Sequence, residues 1–416
     1  MNTIAVIGLG FVGLTTALGF CEKSDFTVYG IENDIQRKSS LQNNSLPFYE
    51  PGLDEALVEY NKSRFILSET AQNAVLKSNI IFICVGTPCD DTGRADLSYV
   101  KQATEEILTY KKGQSPFTIA IKSTVPPTTT SEFVASICNE NNYEIGKDVF
   151  LCSNPEFLRE GKAWEDFIKP DRIVIGGVTE NCHKDLEELY AEFNAPIIIV
   201  NSNTAEFTKY ASNTLLATLI SYSNEMSMIA DYIGEIDVKK AFDTLHTDKR
   251  WGTPTVNMAS YAYPGCGFGG YCLPKDTLAL VSKAQEKGYQ ANILKNVLKV
   301  NKDIKNHFVE KIMRVVTDNK VGILGLSFKS ESDDVRNTPT EYIIRELIER
   351  GIQIHAYDPM GNDAFKSLYG MPIIFEQNAK SLLVSTKTVA ILTGWNEFKT
   401  LDYRNNIVVD GRYILK

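Results

Sequence analysis

The chain has 416 residues, 43% of them apolar and 23% charged, with 27 Gly and 15 Pro. This ordinary globular mixture is long enough for two or three domains, and it excludes a single small binding module, a repeat array and a disordered chain. A formal net charge of −9 argues against a nucleic-acid partner, whose phosphates demand clustered Lys and Arg. Eight Cys without a Cys-x-x-Cys pair read as reduced thiols of a cytoplasmic protein.

The uncharged run from Ile4 to Phe20 lacks the basic flank of a signal peptide and any stop-transfer pattern, so no membrane association is expected. Short β-branched runs follow at Thr3–Ile7, Phe26–Ile31, Asn79–Val85, Phe117–Lys122, Val149–Cys152, Arg172–Ile175 and Pro196–Val200. They alternate with helical stretches, the pattern of βαβ units in a mostly parallel sheet. Apolar residues at helical spacing from Thr204 to Gly234 predict one long helix, and a second runs from about Gln290 to Val316. Between them Trp251 to Pro274, rich in Gly, Pro and aromatics, reads as a functional loop. Alternation resumes at Lys320–Leu324, Gln353–Tyr357, Pro372–Phe375, Thr388–Leu392 and Ile407–Asp410. The expected fold is α/β, with two Rossmann-like domains joined by a helical central region with a long connecting helix. The expected boundaries are 1–200, 201–300 and 301–416.

Gly8, Gly10 and Gly13 follow the first strand, open a helix and precede a second strand ending in Glu32. Gly8 permits the tight turn, Gly10 lets the backbone approach a pyrophosphate, and Gly13 allows close helix packing, with Phe11 and Val12 supplying first-turn amides. Glu32 lies 19 residues after Gly13, where a carboxylate accepts from ribose hydroxyls and repels a 2′-phosphate. NAD is therefore the expected cofactor, although the nearby Arg37 could serve NAD or NADP. The strand Val321–Leu324 also runs into a turn, at Gly325, but the third glycine is missing and no second NAD site is expected.

The densest chemistry is Gly265-Cys266-Gly267-Phe268-Gly269-Gly270-Tyr271-Cys272-Leu273-Pro274-Lys275-Asp276. If a helix starts near Pro274, Cys272 and Asp276 share a face, and a thiol at a helix N-terminus is activated as a nucleophile. A buried, inert Cys is the bland alternative. Lys209 and Asn213, four apart on the long helix, are either joint holders of an oxyanion or water, or an exposed polar stripe. The four His have no metal-ligand spacing, so no metal site is expected.

These residues, together with Tyr49-Glu50-Pro51-Gly52-Leu53, Val85-Gly86-Thr87-Pro88, Lys122-Ser123-Thr124-Val125-Pro126, Asn154-Pro155-Glu156-Phe157-Leu158-Arg159-Glu160-Gly161 and Phe328-Lys329, give the chain a near full-length resemblance to the nucleotide-sugar 6-dehydrogenases, the UDP-glucose/GDP-mannose dehydrogenase family. The resemblance implies NAD-dependent, four-electron oxidation of UDP-glucose at C6 to UDP-glucuronate, through a thiohemiacetal and a thioester on Cys272. It further implies acid/base work by Asp276 and Glu156, with Lys209, Asn213 and Thr124 holding the oxyanion and the water. By the same similarity Thr87, Thr124, Glu160 and Arg336 join Glu32 and Arg37 near NAD. It also implies that Glu156, Phe157, Leu158, Lys209, Asn213, Phe268, Gly269, Phe328, Lys329 and Arg412 line the UDP-sugar pocket, and that the third domain binds UDP. A homodimer or higher homo-oligomer is implied, in which an Arg from the loop before the cysteine reaches the partner's site. Arg250 is the nearest match, and its stretch to Cys272 is several residues longer than usual for the family.

Three rival readings remain. The sister group that oxidises UDP-N-acetylhexosamines (ManNAc, GlcNAc or GalNAc) usually reads Pro-Glu-Arg and Gly-Gly-His-Cys with Val-Asp-Pro, whereas this chain has Pro155-Glu156-Phe157-Leu158 and Tyr271-Cys272-Leu273-Pro274-Lys275-Asp276. A non-catalytic NAD-responsive module would have lost the Cys, Lys or Asp, and Cys272, Lys209 and Asp276 are present. A two-electron hydroxyacid dehydrogenase would not need Cys272 and would make one NADH per substrate.

Overall fold

Eight strands build the first sheet: β1 (Thr3–Ile7), β2 (Thr27–Ile31), β3 (Phe65–Leu67), β4 (Ile80–Ile83), β5 (Phe117–Ile121), β6 (Val149–Ser153), β7 (Ile173–Gly177) and β8 (Ile197–Asn201). The computed structural model describes residues 3–114, 116–248, 251–253, 256–259 and 261–415, and the chain divides into two units, Met1–Ala211 and Ser212–Lys416. The spatial order in the first sheet is β3-β2-β1-β4-β5-β6-β7-β8, parallel except where β6 meets β7. Both faces are covered. β1 sends Ile4 and Val6 into one hydrophobic core and Ala5 and Ile7 into the other, which is why its sequence reads as a continuous apolar run. The three-residue β3 carries too short a pattern to be seen in the sequence; it exists by pairing with β2.

Helix Ser202–Ile233 starts two residues before the predicted position, and Asn201 accepts the Thr204 N–H at 2.8 Å to cap it. In the second unit a short antiparallel pair, β9 (Gly252–Thr253) and β10 (Val256–Asn257), occupies part of the expected loop. Helix Cys272–Glu286 begins before Pro274, which is tolerated at its third position because first-turn amides have no intrahelical acceptor. Helix Asn292–Val315 follows. The second sheet joins β11 (Lys320–Leu324), β12 (Gln353–Tyr357), β13 (Ile373–Phe375), β14 (Thr388–Ile391) and β15 (Ile407–Asp410), ordered β13-β12-β11-β14-β15 and wholly parallel. Among the described residues no helix is long and apolar enough to cross a membrane.

Candidate active site

In the first unit, β1 turns through Gly8, at φ +88°, into helix Phe11–Lys23. A Cβ on Gly8 would lie 2.9 Å from the Cys84 carbonyl oxygen, and one on Gly13 would overlap the Gly8 carbonyl oxygen. Gly10 differs: a Cβ there would meet nothing within 4 Å. The first intrahelical bond is Leu14 N–H to the Gly10 carbonyl, 2.9 Å, so the amides of Phe11, Val12 and Gly13 have no intrahelical acceptor and lie at the positive end of the helix. This open cradle of amides fits a dinucleotide pyrophosphate. Glu32, buried at the end of β2, accepts from Leu9 N–H (3.1 Å) and Asp34 N–H (2.9 Å), and pairs with Arg37 at 3.0 Å. Arg37 is thus engaged by the carboxylate, an arrangement suited to a ribose diol rather than a 2′-phosphate.

The second glycine turn has a similar frame with a different balance. At the end of β12, Asp358 accepts from Leu326 N–H, Ser327 N–H and Oγ–H, and Trp395 Nε1–H through one oxygen, and from Met360 and Gly361 N–H through the other. Its acceptor capacity is spent on the chain itself.

The segment after β6 brings predicted groups together. Glu156 and Lys209 are both buried and form an ion pair of 2.9 Å, and the Lys209 ammonium lies 5.5 Å from the centre of the Phe157 ring, which also stacks on Arg172. Leu158 donates its N–H to Glu156 at 2.6 Å. Thr87 and Thr124 meet through a bond from the Thr87 hydroxyl to the Thr124 carbonyl, 2.8 Å. Glu160 is half-buried on the same segment. Lys122, quoted in the sequence without a role, is a buried cation bonded to Asn154 Oδ1 (3.0 Å) and the Tyr190 hydroxyl (3.2 Å). Burial pulls its pKa down to about 8, opposed by the nearby Cys84 and Glu156.

In the second unit Cys272 opens its helix and is exposed, whereas the other cysteines are buried or half-buried. One turn on, fully buried Asp276 accepts from Asn213 Nδ2 (2.6 Å) and the Lys275 ammonium (2.6 Å). Burial opposes the charge on Lys275, but the Asp276 carboxylate beside it and their hydrogen bond raise its pKa above the ordinary lysine value. Lys209 and Asn213 are therefore not an exposed stripe: both are buried, and each already serves a different carboxylate. Lys275 is the member of this cluster that the sequence did not single out; its place next to a motif carboxylate was the available signal.

The loop ahead of the cysteine holds Phe268 and Gly269, both buried. Gly270 donates to the Arg336 carbonyl at 3.0 Å, and the Arg336 guanidinium pairs with Asp334 and lies 5.1 Å from the Tyr271 ring centre. Arg412 donates to the Leu392 carbonyl (2.6 Å) and to the Phe328 carbonyl (3.4 Å), with Lys329 over the Phe328 ring. Arg250 lies outside the described residues.

A doubly wound sheet, a glycine turn opening a helix and a buried carboxylate at the end of the second strand define an NAD-dependent dehydrogenase. Three models of the UDP-glucose/GDP-mannose dehydrogenase family match the chain: the NAD binding domain over residues 2–194, the central domain over 203–303 and the UDP binding domain over 322–416. A UDP-glucose 6-dehydrogenase of Bacillus subtilis is 36% identical across 99% of this chain and 89% of its own length. The solved UDP-glucose dehydrogenase of Pyrobaculum islandicum is similar at TM-score 0.92 and 37% identity, over 100% of this chain and 95% of that one. A UDP-D-ManNAc dehydrogenase of Pyrococcus horikoshii follows at TM-score 0.84 and 25% identity, over 100% and 96%. The chain belongs to the UDP-glucose/GDP-mannose dehydrogenase family, and its cofactor is NAD.

Proposed function

We propose that this protein oxidises UDP-glucose at C6 to UDP-glucuronate in two successive two-electron steps, with Cys272 as the covalent nucleophile. The observation that carries the reading is the exposed Cys272 in the first turn of a helix whose next turn holds the buried Asp276–Lys275–Asn213 cluster. When bound along Gly8, Gly10, Phe11, Val12, Gly13 and Glu32, NAD supplies the hydride acceptor for both oxidations.

This chain's residues handle protons, carbon and water. A base drawn from Asp276 and Glu156 removes the C6 hydroxyl proton as the first hydride departs, giving an aldehyde. The Cys272 thiolate forms a C–S bond to that carbon while the carbonyl oxygen takes back the proton held by the base, making a thiohemiacetal that cannot diffuse away. Loss of the second hydride and of the hydroxyl proton leaves a thioester. Water then adds, its protons passing through the base to solvent, the C–S bond breaks, the thiolate is restored and a carboxylate leaves; Lys209, Asn213 and Thr124 hold the oxyanion and the water. The ion pair of Lys209 with Glu156 and the bond of Asn213 to Asp276 hold these two donors in fixed positions beside a carboxylate.

UDP-glucose is preferred to an acetamido sugar because the chain is similar over nearly its full length to several proteins named UDP-glucose 6-dehydrogenase, at 31–36% identity, and because Pro155-Glu156-Phe157-Leu158 replaces the sister group's usual Pro-Glu-Arg. The test is NADH formed per nucleotide sugar at completion, with UDP-glucose, UDP-galactose, UDP-N-acetylglucosamine and UDP-N-acetylmannosamine offered separately. Two NADH from UDP-glucose alone is the expected result. Two from an acetamido sugar would overturn the substrate, and one NADH would overturn the role of Cys272.

A further inference from the structure

The segment 154–161, which carries Glu156, Phe157, Leu158 and Glu160, is irregular backbone between β6 and helix Ala163–Ile168, so side chains rather than a ladder must hold it. Its start is fixed by Asn154, whose N–H donates to the Ile121 carbonyl (2.8 Å) and whose amide donates to the Val174 carbonyl (2.8 Å). The same side chain accepts from Lys122 and Tyr190. Its middle is fixed by Glu156, which takes Lys209 on one oxygen and the Leu158 N–H on the other.

The exit is held from elsewhere in the chain. Glu50 is 2% exposed; its Oε2 accepts the Gly161 N–H at 2.8 Å, and its Oε1 accepts those of Ala163 (2.7 Å) and Trp164 (3.4 Å). Two residues on, Gly52 at φ +82° lies against the indole of Trp164, where a Cβ would stand 2.7 Å from Cδ1. Tyr49-Glu50-Pro51-Gly52, a motif the chemistry above does not use, is therefore a clasp: a carboxylate on three backbone amides and a bare backbone under an indole. Arg159 adds a second tie, its N–H and guanidinium donating to Asp166.

We propose that Glu50 is a positioning residue that fixes the exit of segment 154–161 and thereby sets the affinity for the nucleotide sugar. The proposal rests on the reading above, in which Phe157 and Leu158 contact that substrate. Only a carboxylate offers acceptors on both terminal atoms; Gln keeps one and turns an NH₂ toward a backbone donor. Glu156 keeps its own ties to Lys209 and Leu158, so the chemical steps are spared when Glu50 changes.

The test is steady-state kinetics of the full chain carrying Glu50→Gln, beside its melting temperature. The expected result is a KM for the nucleotide sugar raised about tenfold with kcat within about threefold of wild type. KM belongs to the folded molecules and does not move when part of a preparation is lost, so a purely structural role lowers the melting temperature and leaves KM alone; that outcome overturns the proposal. So does a tenfold fall in kcat at constant KM. Should Glu50→Gln not fold, Asp166→Asn removes the second tie: a KM raised about threefold supports the proposal and an unchanged one overturns it. The kinetics use whichever nucleotide sugar the wild type oxidises, so failure of the UDP-glucose assignment shows in the wild type alone.

Discussion

Gly10→Ala separates what the glycine turn does for the fold from what it does for the cofactor. At φ −70° and ψ −167° Gly10 has a backbone open to any L residue, and a Cβ would touch nothing within 4 Å. Two small terms oppose each other. Ala loses less chain entropy on folding than Gly, a gain of about 0.4–1 kcal/mol, but it is a poorer N-cap, at a cost of roughly 0.5–1 kcal/mol. The melting temperature should therefore stay within about 2 °C of wild type. The second glycine of such a turn, however, is the one whose missing side chain lets a pyrophosphate approach the backbone, so the methyl group is expected to enter that space. Displacing a pyrophosphate oxygen from one such amide forfeits a hydrogen bond to a charged group, about 1.5–3 kcal/mol, or roughly 10- to 150-fold in NAD affinity. Gly13→Ala should behave differently, since its Cβ overlaps the Gly8 carbonyl and forces the helix off the strand, lowering melting temperature and NAD binding together. Thermal melts and NAD titrations of both variants check this. Wild-type NAD affinity in a folded Gly10→Ala protein would refute the placement of the pyrophosphate.

Three further outcomes are expected. Glu206 is buried, its Oε1 accepts from the Thr130 N–H and hydroxyl, and its Oε2 has no hydrogen-bond partner among the described residues; burial pushes its pKa up to about 7, against those hydrogen bonds. Between about pH 4.5 and 7 the folded chain keeps a proton that the unfolded chain has released, so stability falls as pH rises through that window and levels off above it. Glu206→Gln removes this slope and should gain about 3 kcal/mol relative to wild type between pH 4.5 and 8; a melting-temperature difference that is constant with pH would contradict it. Glu32→Ser frees Arg37 from its 3.0 Å pair and should shift kcat/KM toward NADP by at least about tenfold, measured with both cofactors. Cys272→Ser should lower net formation of the acid by at least about 10³-fold with NAD binding intact, and full acid production would sink the thioester.

Much of the site was legible because its signals are local. Gly8, Gly10, Gly13 and Glu32 sit at fixed spacing around one strand–turn–helix unit, and Cys272 and Asp276 are one helical turn apart. The missing parts were of two kinds. β3 is too short to carry a period. Lys122, Lys275, Glu50 and Glu206 were visible as letters but not as roles, because a charged residue reads as solvated until burial and a partner are known.

The sequence by itself determined the two α/β sheets, the dinucleotide cradle and the candidate nucleophile, since strand periodicity, glycine spacing and helix position depend on neighbours within a few residues. Only the tertiary structure decided which charges pair. Lys209 binds Glu156, Asp276 takes Lys275 and Asn213, and Glu50 reaches Gly161 from 111 residues away. Burial decides these pairings: away from water an unmatched charge costs several kcal/mol, so these three carboxylates are satisfied by the donors that the packed sheets and helices bring to them, and no spacing in the chain encodes that choice.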